Sequence, residues 1–247
     1  MGHLRTVVIN LNRSAERRRL MASRLGQLGI PFEFWDATDG NTLSQGEMSA
    51  VYSETESFAN IGRGLHRNEI GCTLSHVDIW KALVASSDDE ILVLEDDIEI
   101  ADDLVPLLKR RNEWIPPGAR VVYFAHHVAK EKNLIAIDVP AKSKRFLCEF
   151  EGPVMSCSAY LLRREGAINL LRHWKPIRMA TDDLLGRAQF TGGGIYGVVP
   201  KPVIWRDEPS TIWTDTTMAA FATSSRKGLT GVLRRVRNRL FRRDEVQ

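Results

Sequence analysis

The residues best suited to chemistry are carboxylates. Ile91-Leu92-Val93-Leu94 runs directly into Glu95-Asp96-Asp97. A short apolar run without alternation reads as a strand covered on both faces, so three acids stand at its carboxyl end. Neighbouring carboxylates repel unless a cation or solvent offsets their charge. In extended geometry Glu95 and Asp97 point one way and Asp96 the other. Such an acid-x-acid pair suits a hard cation. Mg²⁺ or Mn²⁺ takes one or two carboxylates and completes its shell with water and phosphate oxygens. Glu95 and Asp97 are therefore the expected metal ligands; the plainer reading is a solvated turn ahead of a helix at Asp102.

A second acidic pair, Asp182-Asp183, opens a predicted helix. Capping a helix needs one acid, which leaves the other available as a general base, and either residue fits. Glu69 and His76 lie near one face of another predicted helix. Arg13, Arg17 and Arg18 follow the first strand, where cations beside helix N–H groups suit an anionic ligand such as a diphosphate. His126 and His127 follow a strand end and are expected only to line a pocket. Gly192-Gly193-Gly194 lacks the lysine and helix of a P-loop.

The elements that must position these groups alternate. Thr6–Leu11 reads as a strand, and Ser14 can cap the helix that follows, whose apolar side is Leu20, Met21, Leu25 and Leu28. Gly29 and Pro31 stop that helix, and residues 32–35 form a strand ending at Asp36. Residues 37–66 are rich in polar and small residues and read as a long, partly irregular connection. A helix is expected over 68–85, a buried strand over 91–94, a helix over 102–112 and a strand over 121–124. Short β-like runs follow over 134–139, 146–150 and 154–162. Then come helices over 166–174 and 182–190 and a strand pair over 197–205. This rhythm predicts an α/β fold, an open Rossmann-like mixed sheet with its ligand site beyond the carboxyl ends of the strands.

Charge divides the chain. Of 34 basic and 31 acidic residues, residues 226–247 hold eight and two, which leaves a body, 1–225, at −3 and a tail at +6. A general nucleic-acid binder spreads positive charge over its folded surface, so nucleic acid is not an expected partner. No apolar run approaches the roughly 18 residues of a membrane-spanning helix, and the N-terminus lacks a secretory signal pattern. Three cysteines, Cys72, Cys148 and Cys157, sit at no metal spacing and read as thiols of a reduced, cytoplasmic compartment.

Taken in order, the motifs resemble glycosyltransferase family 25, the lipopolysaccharide and procollagen galactosyltransferase group. Val8-Ile9-Asn10-Leu11 with Arg13 and Glu16-Arg17-Arg18 is similar to its opening strand and helix. Asp36 through Gly40 resembles the element that follows. Glu69-Ile70-Gly71-Cys72, Ser75-His76 and Trp80-Lys81 resemble its most distinctive stretch, and Leu94-Glu95-Asp96-Asp97 its metal motif. Ala159-Tyr160-Leu161, Gly166-Ala167 and Asp182-Asp183 are similar to its C-terminal half. Thr181 departs from the pattern, standing where the family usually has an apolar residue.

The resemblance implies a GT-A-like fold and an inverting transfer, of galactose above all, from a UDP-sugar to a hydroxyl of a lipopolysaccharide, lipooligosaccharide or other cell-surface glycan. It implies Mn²⁺ or Mg²⁺ at Glu95 and Asp97, with Asp182 or Asp183 as the base. Asn10, Leu11, Arg13, Arg17, Asp36 and Asp96 would border the nucleotide. Glu69, Ser75 and His76 would face donor or acceptor. Two other readings compete: a metal-dependent nucleotidyl- or phosphotransferase, and a non-catalytic sugar-binding module.

The tail completes the expectation. At about 100° per residue, Leu229, Val232, Leu233, Val236 and Leu240 share one helical face flanked by arginines. That is the pattern of a basic amphipathic helix lying on an anionic membrane. Residues 1–225 are thus expected to form the transferase domain and 226–247 a peripheral anchor on the inner face of the plasma membrane.

Overall fold

The computed structural model describes residues 4–127 and 130–206. The expected tail helix and anchor lie outside them. The described elements, in order, are β1 (Arg5–Asn10), α1 (Ala15–Leu28), β2 (Glu33–Asp36), a 3-10 turn (Gly40–Thr42), α2 (Gln45–Val51), α3 (Glu54–Ile61) and α4 (Arg67–Ala85). Then come β3 (Glu90–Glu95), β4 (Ile98–Ile100), α5 (Leu104–Lys109), α6 (Arg111–Trp114), β5 (Val121–Tyr123), β6 (Lys130–Ile137), β7 (Arg145–Glu151) and β8 (Ala159–Arg163). The last are α7 (Arg164–Leu171), α8 (Thr181–Leu185), α9 (Ala188–Thr191), β9 (Ile195–Val199) and β10 (Val203–Trp205).

Eight strands form one mixed sheet in the order β2-β1-β3-β8-β5-β9-β7-β6, while β4 and β10 pair separately. β1 runs parallel to both β2 and β3, so the three end on one edge. β3 is covered on both faces as expected, and it runs parallel to β1 and antiparallel to β8.

Alternation along the strands builds two cores. Val8, Leu92 and Leu94 pack on one face with Met21 and Leu25 of α1 and with Leu104 and Leu107 of α5. Val7, Ile9, Ile91 and Val93 pack on the other with Val77, Trp80 and Leu83 of α4 and with Ala167 and Leu170 of α7. The middles of β1 and β3, Val7–Ile9 and Ile91–Leu94, are therefore apolar without alternation, as helices on both faces require. The fold is a mixed α/β open sheet flanked by helices.

Several local expectations change. Residues 37–66 hold a 3-10 turn and two short helices. α2 is closed by a capping box, with Ser44 accepting from the Glu47 N–H and Glu47 accepting from Ser44. Ser14 stands at the N-cap of α1 but makes no capping bond. Gly186 and Arg187 split the helix expected over 182–190 into α8 and α9. The strand pair expected over 197–205 divides between the two sheets.

Candidate functional site

Because β1, β2 and β3 are parallel, Asn10, Asp36 and Glu95 end on the same edge: Asn10 lies opposite Asp36 in register and Ile9 opposite Glu95. A cleft opens there. Leu11, Arg13 and Arg17 line it from the start of α1, Thr38, Asp39 and Gly40 from the loop after β2, Asn68, Cys72 and Ser75 from α4, and Glu95, Asp96 and Asp97 from the end of β3.

The three consecutive acids have three surroundings. β3 ends at Glu95 and the chain bends at Asp96 and Asp97, so the expected alternation stops. Asp96 accepts from Asn10 Nδ2 at 2.6 Å and from Arg17 Nη1 at 3.2 Å. Burial pushes its carboxyl up, against the pull of those two partners. Glu95 turns from Asp97: it accepts from Ser158 Oγ at 2.7 Å and from the Cys157 thiol at 3.1 Å, and lies 3.5 Å from His76 Nε2. Burial opposes its ionisation, but His76, Ser158 and Cys157 outweigh it and hold the carboxyl low.

Asp97 is the exposed problem. Its side chain is 28% exposed, and Arg17 approaches only to 3.7 Å. Its Oδ1 is buried without a hydrogen-bond partner among the described residues. Burial, then the Glu95 charge, pushes the group up to about 7. An orphaned carboxylate oxygen beside two further acids fits a divalent cation, which would satisfy the oxygen and offset the repulsion.

Two glycines bring the loop to the helix. A Cβ on Gly71 would stand 2.6 Å from both the Gly40 nitrogen and the Thr38 oxygen, and one on Gly40 would run into the Arg67 carbonyl. Bare backbone on both sides is what lets residues 38–40 lie on α4. Ser75 Oγ locks the contact, accepting from the Thr38 N–H at 2.9 Å and donating to the Gly71 carbonyl at 2.8 Å. Asp39 then forms an ion pair with Arg13 across the cleft.

Other expected residues stand apart from it. Glu69 accepts from both arms of Arg63, at 2.8 and 2.7 Å, and from the His66 N–H at 2.8 Å, so it closes a capping box at the start of α4 and does not line the cleft. Asp36 is exposed and 3.7 Å from Arg18, whose guanidinium lies over Phe34. His76 is wholly buried, with Nδ1 at 2.8 Å from the Tyr160 hydroxyl. His127 stacks on Trp205, and burial, then Lys201, depresses both His126 and His127 to about 4. Gly192, Gly193 and Gly194 all have positive φ, and Gly194 packs on the Gly118 carbonyl, making a turn into β9.

Asp182 and Asp183 are not among the cleft-lining residues. α8 is held to α4 by a buried bond from Thr181 Oγ1 to Thr73 Oγ1 at 3.0 Å, so the hydroxyl at 181 has a packing partner. Asp183 pairs with Arg187 at 2.6 Å. Among the described residues, Asp182 accepts from the Asp183 N–H, at 2.9 Å. Burial, then the Asp183 charge, raises it to about 7, and the Cys72 and Glu69 charges add to the shift. A second hollow lies on the Arg187 side, lined by Phe150 and Tyr196 among others.

Residue types alone gave no reason to single out Thr38, Asp39, Ser158 or Tyr160. The cysteines, read as isolated thiols, also change: Cys72 and Cys157 meet beside His76 and Glu95. Only the helical spacing of Cys72 and His76 signalled part of this.

Comparison with known proteins follows the same residues. The profile of glycosyltransferase family 25 (LPS biosynthesis protein) matches residues 3–185. A glycosyltransferase 25 family member of Anopheles gambiae is 28% identical over 87% of this chain and 34% of its own length. Human procollagen galactosyltransferase 2 is 33% identical over 40% of this chain and 16% of its own. A mouse relative named as an inactive glycosyltransferase 25 family member 3 is 33% identical over 46% and 20%. The chain spans about a third or less of the length of these relatives. Among solved structures, a CMP:2-keto-3-deoxy-manno-octonic acid synthetase complexed with CTP is 14% identical, with a TM-score of 0.36 over 90% of this chain and 98% of that chain.

Proposed function

This chain belongs to glycosyltransferase family 25, and from that premise we propose that it moves a sugar, galactose, from a UDP-sugar to a hydroxyl of a cell-surface glycan. The acceptor class is a lipopolysaccharide or lipooligosaccharide, in keeping with the family description. The galactosyl donor follows the name of the human relative. The observation that carries the reading is the orphaned Asp97 carboxylate in a cleft bordered by Arg13 and Arg17.

The nucleotide would lie along the carboxyl ends of β1 and β2, with its diphosphate toward Arg13, Arg17 and Asp97. Asp97 is the residue that would hold a divalent cation, Mn²⁺ or Mg²⁺. Bound there, the ion would offset the charge that develops on departing UDP. Glu95, the other expected ligand, would have to release Cys157 and Ser158 to share it. Asp96 would fix Asn10 and Arg17 at the nucleotide's edge.

Asp182 would be the base. Asp183 is neutralised by Arg187, whereas Asp182 is raised to about 7 and ionises near neutrality, where a general base works best. It would take the acceptor hydroxyl's proton as that oxygen bonds to the anomeric carbon. The bond to UDP breaks on the opposite face, and its electron pair leaves with the diphosphate. The hollow beside Arg187 and Tyr196 would receive the acceptor glycan.

The tail reading stands as part of this proposal: residues 226–247 would hold the enzyme on anionic lipid at the inner face of the membrane, next to a lipid-linked acceptor. Anionic vesicles should bind the full chain more strongly than a chain ending at residue 225; equal binding refutes the anchor. For the reaction, UDP release from UDP-galactose is measured with Mn²⁺ in wild type and Asp97→Ala. Release that needs Mn²⁺ and is lost in the variant is expected; equal metal-dependent turnover in both overturns the assignment. A sugar-binding module is the second reading, favoured by the mouse relative named inactive. It predicts nucleotide binding without any release.

A further inference from the structure

Behind the cleft, two thiols, an imidazole and a carboxylate converge from three elements. α4 supplies Cys72 and His76, four residues apart and so on one helical face. The end of β3 supplies Glu95. The segment entering β8 supplies Cys157, set in place where Ala159 pairs with Leu94 and where the Glu95 N–H donates to the Ser158 carbonyl at 2.8 Å. One ligand atom from each lies within 4.8 Å of all the others. Glu95 Oε1 is 3.1 Å from Cys157 Sγ, 3.5 Å from His76 Nε2 and 4.0 Å from Cys72 Sγ. Zinc bonds of about 2.0–2.3 Å set tetrahedral ligand atoms roughly 3.3–3.8 Å apart, which is the scale of this cluster.

The surroundings point inward as well. His76 Nε2 is buried with no hydrogen-bond partner among the described residues. Its other nitrogen is 2.8 Å from the Tyr160 hydroxyl, which accepts from Trp80 Nε1 at 3.0 Å. Nδ1 is thus taken up by Tyr160 and Nε2 faces the cluster; a bound ion would displace the Nε2 proton that faces Glu95. The second oxygen of Glu95 is held by Ser158 Oγ, itself an acceptor from Trp205 Nε1 at 2.7 Å. Outer partners of this kind orient imidazole and carboxylate ligands in metal centres. Cys72 also borders the cleft, which gives an ion a way in.

We infer that Cys72, His76, Glu95 and Cys157 form a zinc site; Glu95 then belongs to this site, and of the expected pair Asp97 alone is left to the cleft cation. Its thiolates select a soft or borderline ion over Mg²⁺ or Mn²⁺. With all four corners supplied by protein, the ion is structural: it ties α4 to the ends of β3 and β8 and fixes the wall of the cleft. The inference needs no nucleotide and does not depend on the transfer reaction.

Metal analysis of the full chain purified under reductant should find about one zinc per chain. After chelation, Co²⁺ should give thiolate charge-transfer absorption and the strong visible bands of a tetrahedral site. Thiolate absorption should fall to about half in Cys157→Ser, vanish when Cys72→Ser is added, and persist in Asp97→Asn. Tyr160→Phe should weaken zinc binding roughly 10–100-fold. A wild-type cobalt spectrum without thiolate absorption overturns the site without reference to any variant's folding. So does a protein with both Cys72→Ser and Cys157→Ser that keeps that absorption, an Asp97→Asn protein that loses it, or a Cys72–Cys157 disulfide in reduced preparations.

Discussion

The acidic end of β3 and the acidic start of α8 solve the same problem differently. Each sets carboxylates side by side, and each neutralises one of them: Asp96 by Asn10 and Arg17, Asp183 by Arg187. Each also leaves one acid raised to about 7, Asp97 and Asp182. The remaining neighbours differ. Asp97 keeps a buried, unpartnered oxygen, and Glu95 and Asp96 both push its carboxyl up, so a cation is what would relieve it. Asp182 accepts a backbone N–H, and the acidic neighbour that acts on it most, Asp183, is already paired, so it can gain and lose a proton without a metal. Like motifs thus take unlike roles through what stands beside the second acid.

The sharpest way to break this comparison is Asp182→Asn. Loss of a general base should slow transfer roughly 10²–10⁴-fold at little change in Mn²⁺ affinity, read by UDP release and by metal titration. Asp97→Asn should reverse the pattern. It should abolish the Mn²⁺-induced rise in melting temperature and cost about 10²–10³ in rate, the scale of losing a stabiliser of developing negative charge.

Next in size is pH. A base raised to about 7 works ionised, so the wild-type rate should climb about tenfold per unit below that value and level off above it; a residual Asp182→Asn rate with the same slope would remove Asp182 from the role. The stability of metal-free protein should run the other way. A carboxyl raised in the folded state favours folding while protonated, so that contribution is lost as pH rises toward and through about 7. Thermal melts at pH 5 and pH 8 would read it, and Mn²⁺ should restore part of the loss at the higher pH. The smallest effect belongs to Asp183→Asn. Its pair with Arg187 is partly buried, at 14% and 33% side-chain exposure, and contributes on the order of 1 kcal/mol, so the rate should change about fivefold or less. A loss as large as that of Asp182→Asn would erase the distinction drawn between the two.

Much of this framework was legible in residue order. The runs at 6–11 and 91–94 carry apolar side chains at both parities, and a chain read that way belongs in a doubly covered sheet. Helix α4 was legible to within a residue, because Ile70, Val77 and Val84 mark a face. The stretch from 37 to 66 was not, since its short helices draw on capping by Ser44 and Ser53 rather than on a long apolar stripe. The acids were found by type, but Glu95 was paired with Asp97 by strand alternation, and the bend after Glu95 set them in different surroundings.

By itself the sequence determined the alternating elements, the acidic strand end and the division between an acidic body and a basic tail. These depend on local periodicity and composition, which survive without knowledge of neighbours. Tertiary structure alone decided that Asn10 and Arg17 take up Asp96, that Gly40 and Gly71 meet backbone to backbone, and that Cys157 reaches Cys72. Those outcomes rest on contacts across 31 to 86 residues of chain, such as Asn10 to Asp96. A short polar or thiol side chain carries no periodic signal of its distant partner; the pairing of β3 with β8 and the packing of α4 on the sheet supply it.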